Sequence, residues 1–432
     1  MSSSADLHVP ECLQQTLFGV LVLSATVSVV FVGEFSPLPI TMLLDVWIIA
    51  VLLTSILWGR VRATVTFGAL MLYLAAVLAL VSATGAPVPD ALQAYRWVLY
   101  LVAASAVAGS RWTRHDLLVS LAWWLAGLAT IKALLTRMFL GPEERPGLFV
   151  ENNFELALFC GLAAVVHDRQ GRSRLGLLGM LGLLTVLSGS RSGAVAYLLL
   201  VAYAILRADI RDPFFRYLSA ALPAGVAFIP AAIFQARAAE SAVIDRVRFL
   251  DLFRQETADW DQLQWLFGTM PITPLSPQTC DELIFYEPLF SSEADGTCYS
   301  VILHAFAMRV IHDAGLVGPV LAFFLPALLM LRYGVPRGLT VVLVAIAAGN
   351  SLSVSGMNSP YVILPILLAL LTARATSSQE RDHGTTEQAG PAGPPPSRAG
   401  VRRRRYPAEP GGSALPDRPG CRGGNTAEDR GS

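Results

Sequence analysis

Charge is scarce in this chain. Only 15% of its 432 residues are Asp, Glu, Lys or Arg, while 54% are hydrophobic. Ordinary soluble proteins carry about a quarter charged residues, so an ordinary soluble enzyme is excluded. Lysine is nearly missing: Lys132 stands alone among the arginines, which we read as base-composition bias rather than mechanism. Basic and acidic residues number 32 each, so the formal net charge is zero and gives no pointer to nucleic acid. The five cysteines show no metal-ligand spacing. Cys12 and Cys160 fall at or inside apolar runs, Cys421 lies near the C-terminus, and Cys280 and Cys298 share one hydrophilic stretch. The opening MSSSADLHVPE has neither a positive n-region nor a small-residue cleavage site. A removable signal peptide is therefore not expected, and the first apolar run should serve as its own insertion signal.

What the chain has instead is a series of apolar runs, many about 20 residues long and able to cross a ~30 Å hydrocarbon core as helices. We expect an all-α integral membrane protein with about 12 transmembrane helices. They fall near 13–33, 39–58, 64–82, 91–109, 117–139, 153–167, 174–188, 192–206, 216–236, 300–331, 338–356 and 359–374. In this layout Arg60 and Arg62, Arg111 and Arg114, Arg169, Arg172 and Arg174, Arg207, Arg211 and Arg216, and Arg332 and Arg337 all fall on one side. The alternate short loops hold only Arg145 and Arg191. The arginine-rich side is then cytoplasmic, with both termini on it. Residues 1–374 form the polytopic membrane domain, including one large extracytoplasmic loop at 237–299. That loop carries Trp260, Trp265, Phe267, Phe285 and Tyr286 and suggests a partly ordered cap. In an oxidising exterior Cys280 and Cys298 either form a bridge or remain two free thiols. Residues 375–432, rich in Pro, Gly, Arg and Ser, are expected to be a disordered cytoplasmic tail.

Arg191 sits on the wrong side for a basic residue, inside Ser188-Gly189-Ser190-Arg191-Ser192-Gly193. An arginine near lipid is expensive unless it meets a partner or lines a polar cavity. Small residues and backbone N–H groups beside a helix N-terminus make a plausible phosphate seat; an arginine snorkelling to the headgroups is the bland alternative. Other polar residues gather at the same depth. The preceding outer loop holds Arg145, Glu151, Asn152, Asn153 and Glu155. At 1.5 Å per residue Arg96 lies only ~8 Å inside its span, with Arg137 at the rim and Lys132 one to two turns deeper. Asn350, Ser351, Ser353, Ser355 and Asn358 reach the same layer. Together they imply a cationic, hydrogen-bonding cavity opening outward.

A helix from Ser300 to Leu331 would run ~48 Å, longer than a bilayer core, so the part before Gly315 should project outward or lie along the interface. Within it His304, Met308 and His312 recur every four residues and should share a face. An imidazole of near-neutral pKa can act as a general base, or be no more than a hydrogen-bonded interfacial residue.

Several stretches resemble the O-antigen ligase and O-antigen (polysaccharide) polymerase family of multispanning bacterial membrane glycosyltransferases. They are RPGLFVENNF (145–154), LSGSRSG (187–193), the run from Arg246 and Arg248 to Trp265-Leu266-Phe267-Gly268, and His304 eleven residues before Gly315-Leu316-Val317-Gly318. The resemblance covers roughly residues 140–335. It implies transfer of a polyprenyl-diphosphate-linked glycan to a sugar hydroxyl, without cofactor or metal, on the outer side of a bacterial cytoplasmic (inner) membrane. Partners would be the lipid-linked donor, a glycan or lipid-linked acceptor, membrane lipid and other polysaccharide-assembly proteins, with no nucleic acid. His304 would be the catalytic base and Arg191 the catalytic cation. Carried over by position, Arg191 and either Arg246 or Arg248 would hold the diphosphate; the polar layer described above, rather than the resemblance, adds Arg145, Glu151, Asn152, Asn153, Arg96 and Lys132 as candidate substrate contacts. Two departures stand out: Ala305 follows His304 where the family often has Asn, and Glu151-Asn152-Asn153 replaces the more usual Asn-Pro-Asn. The second leaves Glu151 as an additional acid or base. Polymerase is preferred to ligase. A multispan anion transporter is the alternative from another class, although the halves show no repeat; an inactive scaffold of an envelope-assembly complex is a third reading.

Overall fold

The structure, a computed structural model, describes residues 7–58, 61–141, 144, 147–207, 245–269, 271–293 and 296–373. The ninth expected helix (216–236) and the expected tail (375–432) lie outside them. Among the described residues four helices are long and apolar enough to cross a membrane: α1 (Glu11–Val30), α2 (Ile40–Leu57), α3 (Thr64–Thr84) and α6 (His115–Leu140). Their outward faces stay apolar, with Leu23, Met42, Leu53, Leu72 and Met138 all exposed. Water would not tolerate so continuous an apolar surface, whereas lipid does, and intrahelical bonding satisfies every backbone group there. The chain is a helical, membrane-embedded protein.

Shorter helices complete the bundle. These are α4 (Val88–Ala94), α5 (Arg96–Val107), α7 (Asn152–Val166), α8 (Arg174–Ser188), α9 (Arg191–Arg207) and, near the end of the membrane domain, α15 (Arg337–Ser351) and α16 (Pro360–Thr372). Helix α7 is buried from Glu155 to Val166 and α16 from Pro360 to Thr372. A helix apolar all round belongs in a core, and α7 packs there against α9, α15 and α16. Gly161 permits this: an added Cβ would overlap the ring of Pro365.

Two expected helices are interrupted. The fourth breaks at Tyr95 into α4 and α5, and Asn358 serves both sides of the break. Its Oδ1 accepts from the Trp97 N–H (2.9 Å), while its Nδ2 donates to the Gln93 carbonyl (2.6 Å). Groups orphaned at two helix ends are thus satisfied by one side chain. The tenth divides at Gly315 into α13 (Phe306–Ala314) and α14 (Val317–Arg332), which meet at 115°. Gly315 has φ 59°, and a Cβ there would overlap the Leu266 carbonyl, so the bend needs glycine for both conformation and room.

The described residues between 245 and 303 build a cap with its own small core of Phe249, Leu252, Phe253, Leu275, Leu283, Phe290, Cys298, Ile302 and Leu303. Its helices are α10 (Asp245–Glu256), α11 (Gln262–Phe267) and α12 (Pro277–Glu282). Cys280 and Cys298 form a disulfide, with Cα atoms 5.8 Å apart. At the far end of the bundle, β1 (Leu7–His8) pairs in parallel with β2 (Ser110–Arg111). Arg169 bonds the Thr372 carbonyl and Arg207 pairs with Asp168 at that same end.

Candidate functional site

At the end opposite these arginines, a cavity of about 600 Å³ is lined by Phe35, Glu151, Asn152, Asn153, Phe154, the turn from Ser188 to Arg191, His304, and Ser353 to Ser355. The turn forms because Gly189 takes φ 60°, ending α8 in a left-handed cap. Ser190 then caps α9, its Oγ accepting from the Gly193 N–H at 3.1 Å. Gly193 lets α7 and α9 approach, since a Cβ there would overlap Leu156.

The serines flanking Arg191 use their hydroxyls to fix the turn. Ser190 Oγ and Ser192 Oγ donate to Asn153 Oδ1 at 2.6 and 2.8 Å. The Asn153 backbone carbonyl accepts from Asn350 Nδ2 at 2.8 Å. One residue thereby joins α7, α9 and α15, leaving the Arg191 side chain exposed on the cavity wall. The first turns of α7 and α9 both line this space, and the N-terminal ends of helices favour anions.

Behind the wall lies a second layer. The buried Glu155 carboxylate accepts from the backbone N–H groups of Leu148, Phe149 and Val150, folding the loop that leads into α7. Lys132, 1% exposed, donates to Ser28 Oγ (2.7 Å) and to the Glu34 carbonyl (2.6 Å), while the Ser28 hydroxyl donates to the Leu148 carbonyl. Lys132 is thus a brace for the loop and lies outside the cavity lining.

His304 does not share a helical face with His312, contrary to the four-residue spacing. The preceding chain is tied down by a 3-10 turn at Ser300–Ile302, and α13 starts only at Phe306, whose N–H bonds the Val354 carbonyl at 3.0 Å. His304 sits exposed before the helix, its ring 5.0 Å from Phe249 and 6.1 Å from Tyr286 of the cap. His312 is buried, within reach of Asp313 (3.3 Å) and beside Trp260. Only His304 lines the cavity.

The remaining expected residues are elsewhere. Arg96 faces Asp45, with Nε 3.7 Å from Oδ2. Arg137 caps α8 through the Leu187 carbonyl at 2.6 Å. Arg248 bonds the Glu282 carbonyl and is exposed, while the neighbouring Phe249 reaches His304. The Arg246 side chain and Arg145 lie outside the described residues. Phe35 and Phe154 join the lining beyond the expected site residues; the sequence signals are the lone aromatic in GEFSPLP for the first and the end of RPGLFVENNF for the second. Among the described residues no three His, Cys, Asp or Glu side chains group as a metal site. The chain matches no protein-family model and no curated protein.

Proposed function

We propose that the protein is a membrane glycosyltransferase that polymerises polyprenyl-diphosphate-linked oligosaccharide on the outer side of the cytoplasmic membrane. Ligation to a different acceptor is the same chemistry with another hydroxyl. One observation carries the reading: Arg191 and His304, on segments over a hundred residues apart, line one polar cavity with Glu151, Asn152 and Asn153. In this reading the twelve-helix layout holds, both termini are cytoplasmic, and the cavity faces away from the cytosol.

The residues suit the reaction. A glycosyl diphosphate brings its own leaving group, so the protein has mainly to stabilise charge growing on the departing phosphate. Arg191, held by the Asn153-pinned turn, supplies a fixed cation and avoids reorganisation during the step. The acceptor oxygen attacks the anomeric carbon, its proton passes to His304, and the carbon–oxygen bond to the diphosphate breaks with inversion. Phe249 and Tyr286 limit the orientations of the imidazole. About 600 Å³ is ample for a diphosphate and an attached sugar.

The test uses Arg191→Ala and His304→Ala in cells. Both variants should reach the membrane at wild-type level, lose long glycan and accumulate lipid-linked intermediate. Unchanged glycan length in both would overturn the assignment.

A further inference from the structure

A second cavity, of about 300 Å³, lies against the first. His304 and Ser355 belong to the walls of both, so the imidazole stands between two spaces. The smaller chamber is enclosed by α4, the segment 289–292 and the start of α13, and its polar wall includes Asp90, Gln93, Ser292 and Arg309. Asp90 and Arg309 are only 6% and 5% exposed. Asp90 is fixed, accepting from the Ser291 hydroxyl at 2.9 Å and from the Ser292 N–H at 3.0 Å. Arg309 makes one hydrogen bond among the described residues, Nη1 to Ser355 Oγ at 3.1 Å, with the charge of Asp313 nearby.

A guanidinium carries five N–H donors, and burying most of them without acceptors is costly. None of the Arg309 nitrogens is both fully buried and unpartnered, and the residue lines the chamber, so the donors not used on Ser355 are open to acceptor atoms there. A phosphate would meet the immobile Asp90 carboxylate on the same wall and be repelled. Arg309 and Asp90 together add no net charge and offer donors beside acceptors. Hydroxyl groups, each donor and acceptor at once, match such a wall.

We propose that this chamber seats the acceptor: an uncharged, hydroxyl-rich sugar ring held between Arg309 and Asp90, with one hydroxyl presented to His304. The inference rests on the transferase reading above. The acceptor would approach from the smaller cavity while the diphosphate departs into the larger. The new bond joins the acceptor oxygen to the anomeric carbon, the electron pair of the broken bond leaves with the diphosphate, and the hydroxyl proton goes to His304.

The experiment uses the full chain in nanodiscs with its lipid-linked donor. The acceptor is the soluble oligosaccharide released from that donor by mild acid, and each substrate is varied in turn. Arg309→Gln and Asp90→Asn are expected to raise the acceptor KM about tenfold to a hundredfold and leave the donor KM within about twofold. Gln93→Trp adds bulk to the chamber from an exposed position and should do the same, even if the buried variants fail to accumulate. Equal changes in both KM values, or wild-type acceptor use by Gln93→Trp, would overturn the chamber and leave the transferase reading standing. Failure of the wild-type chain to transfer sugar would overturn both.

Discussion

Asn153 accepts two hydroxyl hydrogen bonds with its side chain and one amide hydrogen bond with its backbone carbonyl, and those contacts fix the turn that carries Arg191. Asn153→Ala removes both side-chain bonds and should lower stability by about 1–3 kcal/mol, seen as a lower midpoint in detergent. Glycan length should fall with it as the turn loosens. Asn153→Asp keeps the acceptor oxygens and should recover the midpoint but not the glycan length, because its charge on the cavity wall would oppose the departing diphosphate. Individual residues were unevenly legible in the sequence. Arg191 and His304 stood out because they interrupt apolar runs. For Arg96, Arg137 and Lys132 the sequence offers an expected depth, since each helical residue advances ~1.5 Å along the axis. Depth is only one coordinate; direction around the axis depends on which neighbour packs where. Lys132 turned inward to Ser28 and Glu34, and Arg96 toward Asp45. Arg309 is poorly legible because it lies within a short amphipathic helix, its one signal being a charge between His304 and Asp313.

Among the elements, the bend at Gly315 is the one that sequence chemistry explains most fully. Two glycine-ended motifs, Trp265 to Gly268 and Gly315 to Gly318, meet backbone to backbone: the Leu316 N–H bonds the Trp265 carbonyl at 2.9 Å, and a Cβ on Gly268 would overlap Ala314. Gly315→Ala imposes a left-handed backbone on a residue with a side chain, costing about 1–3 kcal/mol before the overlap is counted. It should part α11 from the bend and expose the cap to faster proteolysis between 257 and 276. Gly179→Ala, with open space around it in α8, should show wild-type digestion. Apolar periodicity indicated where helices lie but not their interruptions. The break at Tyr95 depends on Asn358, more than two hundred residues away, and the shift of His304 out of its helix depends on the cap and on Val354.

For the whole molecule, among the described residues, those lining the cavity and the arginines Arg111, Arg169 and Arg207 occupy opposite ends of the helices. Cys12 is exposed at the arginine-rich end, and Glu144 is exposed in the loop before α7. In a chain with Cys421 replaced by serine, an impermeant maleimide should label Glu144→Cys on intact cells and reach Cys12 only after permeabilisation. The reverse pattern would place the cavity on the cytoplasmic side and remove the basis for an externally supplied acceptor. The cap has a consequence at this scale. Phe249 and Tyr286, which flank His304, belong to or pack against the core that contains Cys298, whose bond to Cys280 closes the cap. In the proposed orientation that bond can close only after export, so a newly made chain would be unarmed until its thiols are oxidised. Maturation of the imidazole's seat and arrival at the working side of the membrane would then be one event.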